Sequence, residues 1–198
     1  MTKQGFLLVA TTLALGSGLA SAKGVTWKID SAHSAAHFSV KHLMVSNVHG
    51  TFSAVSGEVV IDEEDPTKST ATATIGVESV DTGIEKRDEH LRGPDFFDVK
   101  QFPNATWQSV RVIPGKDKEH FQMVGKLTLH GVTKVVVLET EVTGEAKNPF
   151  GPPIRGATAT ATISRKDLGL VWNKAIEGGG VVISDDVKLT IELELQKQ

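Results

Sequence analysis

Apolar and polar residues alternate one by one along residues 188–195, where Leu189, Ile191, Leu193 and Leu195 stand against Lys188, Thr190, Glu192 and Glu194. Successive side chains of a strand point to opposite faces, so a period of two sorts one face to a core and the other to water. A helix would scatter the same residues around its circumference. The same period puts Ala36, Phe38, Val40 and His42 on one face, with His37, Ser39 and Lys41 on the other. Residues 48–54, 57–62, 70–80, 106–113, 121–129, 135–143 and 157–164 are further strand candidates, rich in Val, Ile, Thr or aromatics.

Turn signals separate these runs: Asp65-Pro66, Pro114-Gly115-Lys116-Asp117, His130-Gly131, a 148–156 loop carrying Pro149, Pro152 and Pro153, and Gly178-Gly179-Gly180. About eight or more short strands at this spacing suit a sandwich or an up-and-down barrel, and closing the sheet removes its exposed edges. At about eight strands a barrel interior has room for one small ligand. One segment breaks the pattern. After the turn residues Asp81-Thr82-Gly83, the spacing of Ile84, Arg87, Asp88 and Leu91 predicts a short helix over 84–91, stopped by Gly93-Pro94.

The amino terminus reads as a secretory signal over residues 1–22. Lys3 precedes an apolar run from Gly5 to about Ala20, and Ala20-Ser21-Ala22 has the small-x-small form of a cleavage site. The run is short for a membrane span and is broken by Gly16-Ser17-Gly18. One domain over 23–198 is expected, without a membrane span in the mature chain. The chain has no cysteine, so disulfides, thiolate metal sites and a lipoprotein anchor are excluded, and stability must come from an apolar core. Its formal charge of −3 is spread along the chain without a basic stripe, which argues against nucleic acid.

Several ordered motifs together resemble the YceI-like family. Trp27-Lys28-Ile29-Asp30, His33-Ser34, Phe38 to Leu43 and Val48-His49-Gly50-Thr51-Phe52 are similar to its opening. Asp81-Thr82-Gly83, Arg87-Asp88, His90-Leu91-Arg92, Asp95-Phe96-Phe97-Asp98-Val99 and Phe102-Pro103 follow the order of its central block. Residues 125–134 and Ile163-Ser164-Arg165 resemble its later blocks. The resemblance implies an all-β fold: an extended eight-stranded antiparallel up-and-down barrel, lipocalin-like, with one short helical insertion. It implies export, to the periplasm or beyond it, and a polyisoprenoid or other long amphiphile in an apolar pore. Asp167-Leu168-Gly169, where the family has Asp-Phe-Gly, and Ile183-Ser184-Asp185-Asp186-Val187 depart from its pattern. These departures bear on the ligand rather than on the fold.

A prenyl chain offers almost only CH groups, so its affinity must come from apolar area at roughly 25 cal/mol per Å², less the cost of ordering it. Parity and the motif blocks select Phe38, Val40, Phe52, Phe97, Phe102, Phe121, Met123, Leu127, Leu129 and Trp172 as candidate lining. Each also suits ordinary core, and parity alone does not say which face is the lumen. For a polar headgroup, His42, Arg87, His90 and Arg92 supply donors and cations. The competing reading, favoured on residue chemistry, has Arg87 paired with Asp88 or Glu89 and His90 at the helix end fastening the insertion. Asp95 and Asp98 are read as turn residues.

His33 and His37 would point to one side of a strand about 13 Å apart, too far to share an ion. No metal and no cofactor is assigned. No nucleophile elbow, zinc-protease motif, Walker loop or dinucleotide fingerprint occurs in the chain. The expected role is therefore an exported binding protein for a long isoprenoid or similar lipid, not an enzyme; a homodimer is compatible with it. Two alternatives stand beside it. One is an enzyme acting on such a lipid through His42 or His90, and the other is an interaction protein whose pore has collapsed into core.

Overall fold

The computed structural model describes residues 24–175 and 180–198, so the expected signal at 1–22 and most of the triple-glycine turn lie outside the described residues. The strands are β1 (Val25–Ile29), β2 (Ala35–His42), β3 (Ser46–Phe52), β4 (Val55–Ile61), β5 (Thr70–Gly76), β6 (Val80–Asp81), β7 (Asn104–Pro114), β8 (His120–Leu129), β9 (Val132–Val142), β10 (Ile154–Ser164) and β11 (Ile183–Lys197). They form one sheet in the order β1-β4-β5-β7-β8-β9-β10-β11-β2-β3-β6, with a further β1–β11 pairing. That pairing closes β1, β4, β5 and β7 to β11 into an eight-stranded antiparallel barrel.

β11 makes the closure because it is long enough to be shared. One edge pairs with β10 from Ile154↔Gln196 to Ser164↔Asp186. The other edge pairs with β1 at Ile29↔Leu195 and with β2 from Ile183↔His42 to Glu192↔Ala35. β1 and β2 are thus two halves of one bent strand. β3 and β4 are another such pair, separated only by Ser53 and Ala54. At one end β2, β3 and β6 lean away from the barrel, and the helix α1 (Glu85–Arg92) and the segment after it lie between β6 and β7. We call this end the mouth and the end holding Val25 and Lys197 the base.

Residues 70–80, expected as one strand, are instead β5, a 3₁₀ turn at Val77–Ser79, and the two-residue β6. Local and tertiary bonds impose the break. The Ser79 hydroxyl donates to the Gly76 carbonyl at 2.6 Å and accepts from the Ala54 amide at 3.1 Å, while the Val77 amide donates to Pro103 O. Short hydroxyl side chains divert backbone groups from a ladder in this way. The helix begins one residue later than its pattern, with Ile84 as its N-cap. β1, seen in the sequence only as a motif, is a full strand. His130-Gly131 joins β8 to β9 with both residues at positive φ, 51° and 73°, as a tight hairpin requires.

The inner face is apolar and the outer face polar. Leu189, Ile191, Leu193 and Leu195 of β11 point inward, and Lys188, Thr190, Glu192 and Glu194 point outward. A membrane-spanning barrel has the reverse pattern. Among the described residues no helix is long and apolar enough to cross a membrane. At the base Trp27, 1% exposed, packs with Ile29, Ala36, Val55 and Leu195. The Arg155 guanidinium sits 4.9 Å above its ring and the Lys197 ammonium 5.6 Å from it. Leu195 is wholly buried and links β10, β11 and β1. Leu195→Ala is expected to lower the unfolding free energy by about 2–5 kcal/mol, measured by urea denaturation.

Candidate ligand cavity and its mouth

The barrel encloses an elongated apolar cavity of about 420 Å³. Small-molecule pockets commonly measure about 300–1,000 Å³. Phe38, Val40, Phe52, Phe97, Met123, Leu127 and Leu129 line it, and at its polar end so do His42, Arg87, His90 and Trp172. Phe38, Phe52 and Phe97 form a continuous aromatic wall, with ring centroids 5.6 and 5.5 Å apart in sequence. Phe38 is seated by Gly50: a Cβ there would come within 2.3 Å of its ring. Trp107 lies flat over Gly125 in the same manner.

Two expected lining residues do not line the cavity. Phe102, in the segment before β7, packs edge-on against His130 at 4.7 Å and against Gly131. Phe121 keeps the parity of Met123 and faces Thr140, but at the start of β8 it borders a separate polar groove with Pro114, Lys116 and His120 at the base. Conversely, the sequence reading named none of Trp107, Val136, Leu138 or the β11 leucines as lining, although their parity is regular.

At the mouth the polar groups are held in place. His90 lines the cavity while its side chain is 45% exposed, so the cavity reaches solvent beside it. Its Nε2 lies 2.9 Å from Asp95 Oδ2, and its ring meets Phe96 and Trp172 edge-on at 5.0 and 5.2 Å. Arg87 does not pair with Asp88 or Glu89. Its Nε donates to Thr82 Oγ1 at 2.7 Å and a terminal nitrogen donates to Thr82 O at 2.8 Å. Asp88, 3% exposed, instead accepts from the Thr82 amide and hydroxyl. Arg92 points away from the cavity and fastens the insertion, donating to the carbonyls of Glu78 and Val80 and to Glu85. Asp98 acts as a turn residue at φ 45°.

Arg165 was not among the expected site residues, yet it organises the mouth. Only 4% exposed, it donates to the carbonyls of Leu170, Trp172 and Ser184 and lies 3.3 Å from Asp185. Burial pushes its pKa down from the ordinary arginine value, against the opposing pull of Asp185. The signal for it was present: parity along β10 carries Ala157, Ala159 and Ile163 to the lumen, and Arg165 continues that face. Leu168 is 1% exposed in the cluster of Leu127, Val136, Leu138 and Ala159 but does not itself line the cavity. Arg165→Met should strand buried carbonyls, lowering stability by about 1–3 kcal/mol and speeding amide exchange at residues 170–174, read by hydrogen-exchange mass spectrometry.

Of the histidines, His33 meets Asp30 Oδ2 at 2.9 Å and Glu194 Oε1 at 3.7 Å, on the outside of the barrel. The three groups lie within 4.8 Å of one another. Asp30 also accepts from Gln196 Nε2 at 2.8 Å, and Ser34 Oγ accepts from the Glu194 amide at 3.0 Å, so the cluster ties the β1–β2 bend to β11. The Asp30 hydrogen bond and the nearby Glu194 charge hold His33 above its ordinary pKa, and His33 holds Asp30 below its own. The histidine contribution to stability is therefore complete below pH 6.5 and lost as pH rises through the folded pKa. The aspartate contribution is complete above pH 3.8 and lost as pH falls through the folded value. An NMR titration should place His33 above 6.5, and Glu194→Gln should lower it.

A closed eight-stranded antiparallel barrel with an apolar lumen and a polar mouth belongs to the lipocalin-like class of pocket barrels. The YceI-like domain family matches residues 27–195, and the chain is a member of that family. A UPF0312 protein of Staphylococcus aureus is 39% identical over 166 residues, covering 83% of this chain and 94% of its own. The Campylobacter jejuni YCEI protein superposes with a TM-score of 0.67 at 33% identity, over 80% of this chain and 89% of its own. Burkholderia cenocepacia BcnA has the same fold, with a TM-score of 0.72 at 24% identity, over 84% of this chain and 98% of its own. So does a polyisoprenoid binding domain from Saccharophagus degradans, with a TM-score of 0.65 at 19% identity, over 88% and 99%.

Proposed function

We propose that the protein is an exported lipid-binding protein that holds a polyisoprenoid or similar long-chain amphiphile in its barrel, tail inward and headgroup at the mouth, as carrier or store. The carrying observation is the cavity itself, whose apolar wall has polar groups gathered at one end. β7 has eleven residues. At about 3.3 Å per residue and a tilt near 40°, such a strand spans roughly 28 Å along a barrel axis. A tube of that proportion suits a long flexible chain. Each buried CH₂ contributes about 0.8 kcal/mol, so affinity grows with chain length.

The mouth supplies what a headgroup needs. Arg87 is braced by Thr82, and one of its terminal nitrogens makes no hydrogen bond among the described residues. His42 lies beside the same opening. The name of the Saccharophagus degradans domain supports the ligand class. The signal-like residues 1–22 support export, with the periplasm as the compartment. The reading needs no covalent step.

Native mass spectrometry of the protein from its own host, followed by organic extraction, should show one long-chain lipid per barrel. Phe38→Gln or Leu127→Gln, with the β circular-dichroism spectrum retained, should reduce occupancy at least about tenfold, since each removes more than 1.4 kcal/mol of apolar contact. A protein that arrives empty and takes up no hydrophobic probe would overturn the reading.

A further inference from the structure

The hairpin joining β2 to β3 ends in Leu43-Met44-Val45, whose residues are 39%, 60% and 84% exposed. Leu43 and Met44 both lie in the left-handed region, at φ 50° and 59°. Side chains with a Cβ disfavour that region, which Gly, Asn and Asp occupy at least cost. The β8–β9 hairpin meets the same demand with His130-Gly131. At the β2–β3 tip the chain instead keeps three apolar residues in water, two of them in a costly conformation. Neither folding nor solubility accounts for that choice, and strain retained at an exposed tip points to a contact.

The tip stands at the cavity mouth. The Leu43 amide donates to Val182 O at 2.8 Å, and Val182 and the preceding His42 both line the cavity. The Val182 amide in turn donates to Lys174 O at 3.0 Å. Lys174 places its ammonium 5.9 Å from the Trp172 ring, and Lys41 precedes the tip by two residues. Neither lysine makes an ion pair among the described residues. The chain carries a formal charge of −3, so it would be repelled by an anionic surface unless cations were presented locally, as they are here.

We propose that this tip docks on an anionic lipid bilayer. Leu43, Met44 and Val45 enter the boundary between headgroups and acyl chains, and Lys41 and Lys174 meet the phosphates. The mouth then faces the bilayer, and a lipid passes between bilayer and cavity without its chain crossing water. This transfer step rests on the reading of the cavity as a lipid site; the docking does not.

The test uses the chain from Lys23 onward, which contains every strand of the closed barrel. Co-sedimentation with phosphatidylcholine vesicles is compared with vesicles that also contain phosphatidylglycerol. Binding should be stronger to the anionic vesicles by about 30-fold, the factor that two surface lysines supply. The double variant Leu43→Asn/Met44→Gly supplies residues suited to positive φ. It should keep or raise the melting temperature while vesicle binding falls at least about tenfold. A lower melting temperature with vesicle binding unchanged would make the tip a structural element and overturn the docking, as would a wild-type protein that sediments with neither vesicle.

Uptake of a fluorescent long-chain prenyl alcohol is measured in parallel, without vesicles. Uptake without vesicle binding leaves the cavity reading standing and removes the docking. Vesicle binding without uptake supports the docking and removes the cavity reading.

Discussion

The rest of the structure depends on β11 being hydrogen-bonded along both edges. A sheet of this twist has two free edges until one strand is long enough to meet both the last and the first of its neighbours, and the fifteen residues of Ile183–Lys197 do this. Because β1 and β2 divide its second edge between them, the barrel is closed at the base while β2 and β3 lean outward at the other end. The cavity and its mouth both follow from this: the shared strand holds the lumen shut at the level of Leu195 and lets the sheet open above it.

Opening a barrel exposes backbone and apolar groups that must be covered, and the polar residues at the mouth are spent largely on that task. Arg165 ties the Leu170–Trp172 segment to β11 from within. Arg92 ties α1 to the carbonyls of Glu78 and Val80. Thr82 links Arg87 to Asp88, so that a buried carboxylate and a partly buried guanidinium are joined through one hydroxyl. Such networks are costly when half satisfied and rigid when complete. The outcome is an opening whose shape is set before anything enters it, which lowers the ordering cost of binding.

Much of the fold was legible in the sequence, because period-two alternation is a local property that survives whatever packs against it. The strand cores follow from it directly, and the β8–β9 turn from the His130-Gly131 pair. The break after Gly76 does not, since it depends on Ser79 meeting Ala54 and on Val77 meeting Pro103 O, contacts between distant residues. The lumen face was only half legible: Phe38, Met123 and Leu127 line the cavity, but Phe121, of equal parity, lies at the end of its strand and borders a separate groove at the base. Arg165 was missed because a charge on an inward face reads as an exception until its carbonyl partners are seen. The Leu43-Met44-Val45 tip carries none of the residues that announce a turn, so its left-handed backbone was invisible.

The three tryptophans stand at three levels of the barrel, Trp27 in the base core under Arg155, Trp107 in the cavity wall over Gly125, and Trp172 at the mouth beside His90. The chain has no tyrosine. Its ultraviolet emission therefore arises from three indoles at three depths, each in a different polarity, and the barrel carries its own optical depth gauge. A chain sliding inward would disturb the indole at the mouth and then the one in the wall, while the one buried in the base core stays as an internal reference, so filling can be followed by colour and order of response without attaching a label.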